Sequence, residues 1–544
     1  MVIFIILNNA YIYFLFNRNR NSVTIKVYPP DCHNASNFIC YVISLRIILN
    51  GVQFCFFTSV KMSPKCEVPL LNQISMSIVA KQLVDVLAAL ETDDDVALTF
   101  VVLKSYFENL GVTGDIYQDL LNLIMNSEYL EPTARYFALK LLLQDNVKML
   151  ATGIFPEGFY ERIIATVIDQ GTNLTALNLK GIWIKDEQLH MFYDLIKSLQ
   201  HLNVLNIPCI ANDEALKFIG EFSENLKMLD VSGETDITEI GIDALCRGCP
   251  SIRETLTVVN IGMYGEENVC HTDVALLIAN LPNLVNLGSY SFVGKSIHHL
   301  VQSKKYPDNI QSKLQYIHDT NTSKETARSI VKVCPLLETV YFQKPDLGVI
   351  SMIEKVENLH RLKLNKFPCH EFHQLIERCG SRINSMMLSQ ATGPLNLTHV
   401  ADKCSSLVSI ELYKMETLTH EEEIPFSRLE DVEVLHCNIR TSTFKYLMTC
   451  APNLRKMIIG DEIKLNDVDM ARMLHHNKFD HLEGIWFPNA PLLTQESVEL
   501  LMEYCPKLRS LGQLNGWAIT PDDIVLLTAI VESTNTNLIL SPQM

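Results

Sequence analysis

The 544-residue sequence lacks an excess of basic residues, because its 45 Lys and Arg face 62 Asp and Glu and give a formal net charge of −17. Residues 1–61 carry an excess of four positive charges, so the remaining residues together carry −21. An acidic surface repels the phosphate backbone, and binding driven by counterion release requires a basic stripe that the sequence does not show. The composition therefore argues against nucleic acid as a partner.

No uninterrupted apolar run reaches the roughly 20 residues that a membrane-spanning helix needs. The apolar start, "MVIFIILNNAYIYFLF", contains two asparagines and lacks the basic region of a signal peptide. A second run, 38–60, is interrupted by Arg46, which is costly at a bilayer centre. We interpret 1–61 as an acid-poor extension outside a native protein that starts at Met62; a signal anchor and a true extension are the alternatives. A membrane partner is not expected.

The sequence also lacks the patterns of common catalytic and metal sites. No Gly-rich phosphate loop ends in Lys-Ser/Thr, and "ISMSIV" lacks the glycines of a nucleophile elbow. The His298–His299 and His475–His476 pairs are adjacent rather than four residues apart on one helix face. We therefore expect a binding protein and not an enzyme, with no catalytic residue, cofactor or metal.

The 15 cysteines lack a zinc-finger spacing, since the "CRGC" pair (Cys246 and Cys249) has no second pair to complete it. Six cysteines instead recur three or four residues before an apolar run: Cys249, Cys334, Cys379, Cys404, Cys450 and Cys505. Cysteine is small and often buried, so this recurrence predicts a packing position. Many unpaired cysteines favour a reducing compartment, the cytoplasm or the nucleus.

What the sequence does contain is a repeat. An apolar residue, two variable residues, an apolar residue, one variable residue and another apolar residue recur, as in "LNVLNI" and "LHRLKL". About 14 copies start 22 to 32 residues apart, within the range of leucine-rich repeats. They start at Leu174, Leu202, Leu226, Ile252, Leu284, Leu314, Leu337, Leu359, Ile383, Leu407, Leu429, Leu454, Leu482 and Leu508.

A helix-like segment follows each copy, with apolar residues three and four apart. "TQES" and "TSTF" supply the hydroxyl residues expected at helix starts. One strand and one helix per repeat predict an α/β solenoid, a horseshoe with parallel strands on its concave side. We place the solenoid at 169–516, after an all-α N-terminal head at 62–168 and before a C-terminal cap and tail at 517–544.

The segment "ITEIGIDALCRGCPSI" (237–252) resembles the cysteine-containing leucine-rich repeat of F-box and related ubiquitin-ligase substrate receptors. "VCPLLETVYF" and "YCPKLRSLGQL" contain the same Cys-Pro turn, and the resemblance covers roughly 170–515. It implies a leucine-rich-repeat solenoid that recognises a protein substrate and performs no bond chemistry itself.

In the head, "LLNQISMSIVAKQL" (70–83) resembles an elongin C-binding box. The resemblance makes Leu71 the leading leucine, Ser75 the small residue that is usually cysteine, and Val79 the distal apolar contact. Such a helix inserts an apolar ridge into a partner's groove. The layout is similar to the Zyg and Zer substrate receptors of cullin ligases, although no clear cullin box follows; binding to the F-box adaptor, or a mere cap over the end of the solenoid, are the alternatives.

The concave strands are expected to carry the partner-binding side chains, because alternate strand residues face away from the core. Aromatic and charged residues at those positions can anchor and orient a protein. The candidates are His318, Tyr341, Lys363, Glu411, Tyr413, Glu433 and Trp486. The favoured function is substrate recognition in a cullin-type E3 ubiquitin ligase; a non-ligase scaffold in signalling or the cytoskeleton, and a membrane-anchored recognition protein, remain open.

Overall fold

A computed structural model describes residues 2–7, 10–17, 22–28, 71–90, 93–127, 129–233, 236–262, 269–288, 290–307, 309–534 and 536–540. The chain divides into two compact units, one comprising Met1–Ser59 and Thr92–Thr113 and the other Val60–Glu91 and Gly114–Met544. The predicted repeats belong to the second unit.

The strands of the described residues are β1 Val2–Leu7, β2 Ala10–Asn17, β3 Ser22–Tyr28, β4 Met149–Ala151, β5 Ala176–Asn178, β6 Val204–Asn206, β7 Met228–Asp230, β8 Val258–Asn260, β9 Tyr316–Thr320, β10 Thr339–Gln343, β11 Arg361–Asn365, β12 Ser385–Ser389, β13 Pro394–Asn396, β14 Ser409–Tyr413, β15 Thr417–Thr419, β16 Asp431–Leu435, β17 Lys456–Ile459, β18 Gly484–Trp486, β19 Ser510–Gly512 and β20 Ile539–Leu540.

The α-helices of the described residues are α1 Leu71–Ala88, α2 Asp93–Asn109, α3 Gly114–Met125, α4 Pro132–Leu142, α5 Tyr160–Gln170, α6 Leu189–Ser198, α7 Asp213–Phe222, α8 Glu239–Arg247, α9 Pro250–Thr255, α10 His271–Asn280, α11 Val293–Gln302, α12 Lys324–Val333, α13 Cys369–Cys379, α14 Leu397–Lys403, α15 Thr441–Thr449, α16 Asp467–His476, α17 Gln495–Tyr504 and α18 Pro521–Ser533.

The first unit contains an antiparallel sheet in the order β1-β2-β3, and helix α2. The strands fall in the apolar stretch 2–28, and Ile5 of β1 is the register partner of Ile12 of β2. Among the described residues, every helix is too short or too polar to cross a membrane.

The second unit is built on two parallel sheets. One has the order β4-β5-β6-β7-β8, and the other runs β9-β10-β11-β12-β14-β16-β17-β18-β19-β20; β13 and β15 form a separate parallel pair. The predicted mixed α/β architecture, with a helix between most neighbouring strands, is confirmed. Because one strand follows another in chain order across both sheets, each repeat adds to the edge left by the one before it.

The leucine pattern fixes where each strand begins. The copy that starts at Leu359 yields a strand from Arg361, two residues later, and the same offset holds for most copies. Leu359, Leu362 and Leu364 are each 0% exposed. Burying a leucine side chain contributes roughly 1.5–3 kcal/mol, so the three apolar positions of each copy determine which face of the strand meets the core.

Two copies depart from the pattern. Ile252 lies inside α9, and the strand that follows it, β8, starts six residues later at Val258. "LVNLGS", starting at Leu284, forms a single bridge between Asn286 and Val258 rather than a strand, and the two sheets are separate there. Gly288, directly after this bridge, has φ +60°, and a Cβ atom on it would overlap the Asn260 side chain. The chain therefore turns away before a longer ladder can form.

Of the two helix starts predicted from hydroxyl residues, the one at "TQES" is confirmed. Asn212, Ser323 and Thr494 are N-caps whose side chains accept a hydrogen bond from a backbone N–H in the first turn. "TSTF" differs, because Thr441 lies inside α15 and the N-cap is Arg440, whose side chain makes no capping bond. The hydroxyl residue there belongs to the helix itself.

Five of the six recurring cysteines lie at helix ends. Cys334, Cys404, Cys450 and Cys505 are the C-caps of α12, α14, α15 and α17, and Cys379 is the last residue of α13. All five are buried with free thiols. Burial raises the pKa of Cys334 and of Cys404 to about 12, so these thiols stay protonated and pack as small apolar groups.

The sixth cysteine behaves differently. Cys249 is half-buried and is the N-cap of α9, where Pro250 occupies the first turn. Its Cys-x-x-Cys neighbour Cys246 lies inside α8, and burial raises the pKa of the Cys246 thiol to about 12. The two cysteines are not joined by a disulfide.

The helical segment before the repeats is joined directly to the sheet. Helices α1, α3, α4 and α5 lie in it, but β4 also lies within the predicted all-α head at 62–168 and pairs with β5. The guanidinium of Arg135, on α4, donates to the carbonyl oxygens of Met125, Thr152 and Ile154 at 2.8–3.0 Å. This buried arginine ties the helices to the end of β4, so the segment is not purely helical.

The repeated cysteine position leads to a prediction about stability. Cys505→Ser places a hydroxyl where Cys505 is 0% exposed, and an unsatisfied buried hydroxyl costs about 1–3 kcal/mol. We expect that loss in the free energy of urea unfolding, and a smaller loss for Cys505→Ala, which buries no polar group. The matched control is Cys209→Ser, at an exposed cysteine, with an expected change within about 0.5 kcal/mol. Equal losses at both cysteines would contradict a packing role that is specific to the helix end.

Candidate functional site

The strand register brings most of the predicted contact residues into one line. Tyr341 of β10 is the register partner of His318 and of Lys363, and Glu411 of β14 is the partner of Glu433. We name the line the central row; it consists of His318, Tyr341, Lys363, Met387, Glu411, Glu433, Ile458, Trp486 and Gly512.

Two further rows flank the central row on the same face. The first row, two residues earlier on each strand, consists of Tyr316, Thr339, Arg361, Ser385, Ser409, Asp431, Lys456, Gly484, Ser510 and Ile539. Tyr413 is two residues after Glu411 and lies in the row beyond it, as the partner of Ser389 and Leu435. We call the surface that these three rows form the sheet face.

The sheet face is set apart from the core by the period of two along each strand. Leu362 and Leu364 are buried, whereas Arg361 is exposed, and Glu411 and Lys456 are likewise exposed. The sheet face therefore presents most of its side chains to solvent along strands whose other face is packed, whereas Thr339 and Ile458 on it are buried.

Aromatic rings occupy the β9–β10 end of the sheet face. The His318 and Tyr341 rings stack with centroids 4.1 Å apart and an interplanar angle of 11°. His318 is only 5% exposed, so it supports Tyr341 rather than offering the contact surface that the sequence predicts for it. Burial raises the pKa of Tyr341 and, with a smaller effect from Tyr341, that of Tyr316; both phenols stay protonated and can donate hydrogen bonds.

Opposite charges lie on different strands of the sheet face. Arg361 and half-buried Lys363 share β11, whereas Glu411, Asp431 and Glu433 lie on β14 and β16. Burial, followed by repulsion from Glu411, raises the pKa of Glu433, and Lys456 opposes this shift. The face is thus basic near β11 and acidic near β14 and β16.

Tyr413 is half-buried and has cationic and imidazole neighbours at its edge of the sheet face. The Lys414 ammonium lies 5.0 Å from the centroid of the Tyr413 ring, and the His436 ring meets it edge-on at 5.4 Å. These contacts hold the phenol in place at the carboxyl end of β14.

Trp486 lies flat across two strands. A Cβ atom on Gly512, its register partner, would overlap the Cδ1 and Nε1 atoms of the indole. A Cβ atom on Gly484, two residues earlier on the same face, would come within 2.5 Å of the indole Cζ3 and Cη2 atoms. We call these two glycines the glycine shelf. The Lys456 ammonium lies 5.1 Å from the centroid of the Trp486 ring, within the range of a cation–π interaction.

Sequence reasoning missed Arg361, Asp431, Lys456 and the glycine shelf. The sequence could have indicated the charged residues, because side chains two residues apart on a strand lie on the same face. Each charged residue lies two positions before a central-row residue on its strand. The shelf is signalled by glycines at two positions, Gly484 and Gly512, that face the same way as Trp486.

The predicted adaptor residues lie on α1. Its buried stripe is Ala80, Leu83, Val84 and Leu87, which packs toward α3 and α4. Ser75 and Val79 are half-buried, and the side chain of Leu71 lies outside what the structure describes. Beside them Ile74 and Ile78 are 39% and 44% exposed, so an apolar strip runs along this helix.

The arrangement of Trp486 leads to a prediction of energetic coupling. Gly512→Ala forces the indole off its shelf, and overpacking of this kind costs about 1–3 kcal/mol of unfolding free energy. In a Trp486→Ala background the same change is expected to be neutral or stabilising by up to about 1 kcal/mol, because alanine suits a strand better than glycine. Chemical denaturation of the four proteins in this cycle measures the coupling.

The control for this cycle is Gly158→Ala, since no atom lies within 4 Å of a Cβ placed there. We expect it to change the unfolding free energy by no more than about 0.5 kcal/mol. If Gly512→Ala costs the same with and without Trp486, the indole does not depend on the shelf.

No protein-family model matches this chain, and no curated protein matches it. Among solved structures it is similar to one titled "Crystal structure of Rad7 and Elc1 complex in yeast", with 14% sequence identity and a TM-score of 0.41. The alignment covers 79% of this chain and 96% of the matched chain. The architecture of this chain is established by its own strand register rather than by that likeness.

Proposed function

We propose that this protein is a scaffold that binds a protein partner on the sheet face. The observation that supports this most is the central row. In it the strand register aligns aromatic and charged side chains, and the residues before and after each of them on its strand face the buried core. With strands about 4.8 Å apart, the central row spans nine strands and extends roughly 40 Å along the sheet. That length is typical of a protein interface and exceeds a small-molecule pocket.

The chemistry of the sheet face also favours a protein partner. Tyr341, Tyr413 and Trp486 are half-buried aromatic side chains, a residue class that anchors protein interfaces. Charges of both signs surround them, with Lys363 toward one end and Glu433 toward the other. Such a surface can orient a partner as well as bind it.

In its finer form the proposal is that the protein is the substrate-recognition subunit of a cullin-type ubiquitin ligase. The resemblance of 70–83 to an elongin C-binding box suggests this role. The apolar strip of α1, with Ile74 and Ile78 exposed opposite the buried stripe, fits insertion of a helix into an adaptor groove. Elongin C is the first adaptor to test, and the F-box adaptor is the second.

In this role the protein carries out no bond chemistry. It would hold a substrate on the sheet face and an adaptor on α1, which raises the effective concentration of substrate lysines near the ligase. Both surfaces belong to a protein of the cytoplasm or nucleus in this proposal.

The proposal that α1 binds an adaptor predicts that elongin C co-purifies with the full-length chain. Val79→Asp and Ile78→Asp each place a charge in the apolar contact and should reduce the recovered elongin C about tenfold or more. The matched control is Val525→Asp on α18, where the valine is 68% exposed and lies away from the box. Circular dichroism on each variant verifies that the helices are retained.

The results separate the candidates. Recovery of the F-box adaptor in place of elongin C would change the adaptor and keep the ligase role. Recovery of neither by the unaltered chain would overturn the ligase role and leave a non-ligase scaffold that binds its partner through the sheet face.

A further inference from the structure

We propose that one part of the sheet face, which we name the acidic half and define as Glu411, Asp431, Glu433 and Trp486, binds an extended basic segment of the partner protein. One Lys or Arg side chain would lie over the Trp486 indole, and another between the Glu411 and Glu433 carboxylates. This inference rests on the proposed function, because it specifies the chemistry of the partner that the sheet face recognises.

The Trp486 indole has the geometry of a cation-binding platform. One of its faces lies on the glycine shelf, and the Lys456 ammonium of the protein itself lies 5.1 Å from the ring centroid. Lys456 is exposed, so its flexible side chain can move aside at little cost. A cation already attracted to this ring indicates which group of a partner would replace it.

The carboxylates supply the second contact. Glu411 and Glu433 are register partners on adjacent strands, and like charges placed directly opposite each other are destabilising. Burial, followed by repulsion from the Glu411 carboxylate, raises the pKa of Glu433, and the Lys456 ammonium opposes this shift. Within the described part of the chain, no Lys or Arg nitrogen forms an ion pair with either carboxylate, whereas Glu430 and Glu483 just outside the face both pair with Arg455 at 3.2–3.3 Å.

The contrast with Arg455 shows what a partner cation would do. Arg455 reaches a carboxylate on the neighbouring repeat at either side and offsets their repulsion. Glu411 and Glu433 form the same kind of inter-repeat acidic pair without that bridge. A Lys or Arg from a partner would complete the arrangement, and a guanidinium suits it best because it can bond two carboxylates at once.

The register sets the spacing of the basic residues. Trp486 is two strands from Glu433 and three from Glu411, which corresponds to about 10 and 14 Å across the sheet. An extended chain advances about 3.3 Å per residue and points alternate side chains to opposite sides. Basic residues four positions apart, about 13 Å along the chain, would therefore reach both sites from the same side. Arg361 and Lys363 at the other end of the face would repel such a segment and confine it to the acidic half.

The test uses the full-length protein and a fluorescein-labelled peptide of Gly and Ser with Arg at every fourth position. A peptide with Glu in place of Arg is the ligand control. Fluorescence anisotropy gives the dissociation constant at low and at physiological salt. The protein variants are Trp486→Ala, which removes the platform, and the double change E411Q/E433Q, which removes the charges and keeps the side-chain shape.

The matched protein control is E421Q/E422Q, which alters the net charge equally at two exposed acids outside the sheet face. We expect the Arg peptide to bind and the Glu peptide not to bind. Trp486→Ala should weaken binding about twofold to fivefold, the fold-change of an exposed cation–π contact. E411Q/E433Q should weaken it about tenfold or more, and E421Q/E422Q less than about twofold.

Three results would overturn the inference: no binding of the Arg peptide, equal binding of the Glu peptide, or equal weakening by E421Q/E422Q and E411Q/E433Q. Equal weakening by the two double changes would mean that the Arg peptide is attracted only by the net charge of the protein. A protein partner whose binding depends on Tyr341 or Lys363 and not on Trp486, Glu411 or Glu433 would leave the proposed function in place and remove only the basic-segment inference.

Discussion

The whole structure of the second unit depends on the burial of three apolar side chains per repeat against the neighbouring repeats. A single strand and helix cannot cover their own apolar surface, so each repeat is stable only beside another. Leu362 of β11 illustrates this, because its register partners Val340 and Met386 come from the repeats on either side, and all three are buried. Since the side-chain period of a strand is two, this burial also fixes Arg361 and Lys363 on the opposite face. The binding surface is thus a geometric consequence of the core, whereas its chemistry is free to vary.

The same constraint explains what could be predicted from the sequence. Strand positions follow from the leucines, because an offset of two residues from Leu359 to Arg361 recurs along the solenoid, and the cysteines at the helix ends follow from their small apolar side chains. The alignment of Glu411 with Glu433 required the register, which is set by backbone bonds between segments more than twenty residues apart. The burial of His318 could not be read from its strand, because exposure there depends on the ring that Tyr341 contributes from the next repeat.

The strand that was wrongly predicted after Leu284 and the strand β4 that was not predicted both have local causes. The copy at Leu284 has the apolar pattern but is followed by Gly288, whose positive φ turns the chain before more than one bridge forms. Strand β4 was missed because its copy, Val147, Leu150 and Thr152, has a threonine at the third apolar position. That threonine is 0% exposed and its hydroxyl bonds the Asn178 carbonyl oxygen at 3.4 Å, so a satisfied polar group replaces a leucine. Patterns based on hydrophobicity alone fail where a hydrogen bond permits burial.

The glycine shelf lowers the stability of the strands that contain it, and packing of the Trp486 indole alone does not offset this loss. Glycine inside a strand is less favourable than alanine by about 0.5–1 kcal/mol, and the shelf has two glycines, placed diagonally on the adjacent strands β18 and β19. The indole that fills the space recovers part of this cost by burial, yet Trp486 remains half-buried and keeps one face near an exposed lysine. A stability optimum would place larger side chains at Gly484 and Gly512 and a smaller one at Trp486. The sequence instead forms a flat aromatic surface near an acidic pair with which no Lys or Arg of the described residues forms an ion pair, and both features become favourable when a cation from another molecule is present.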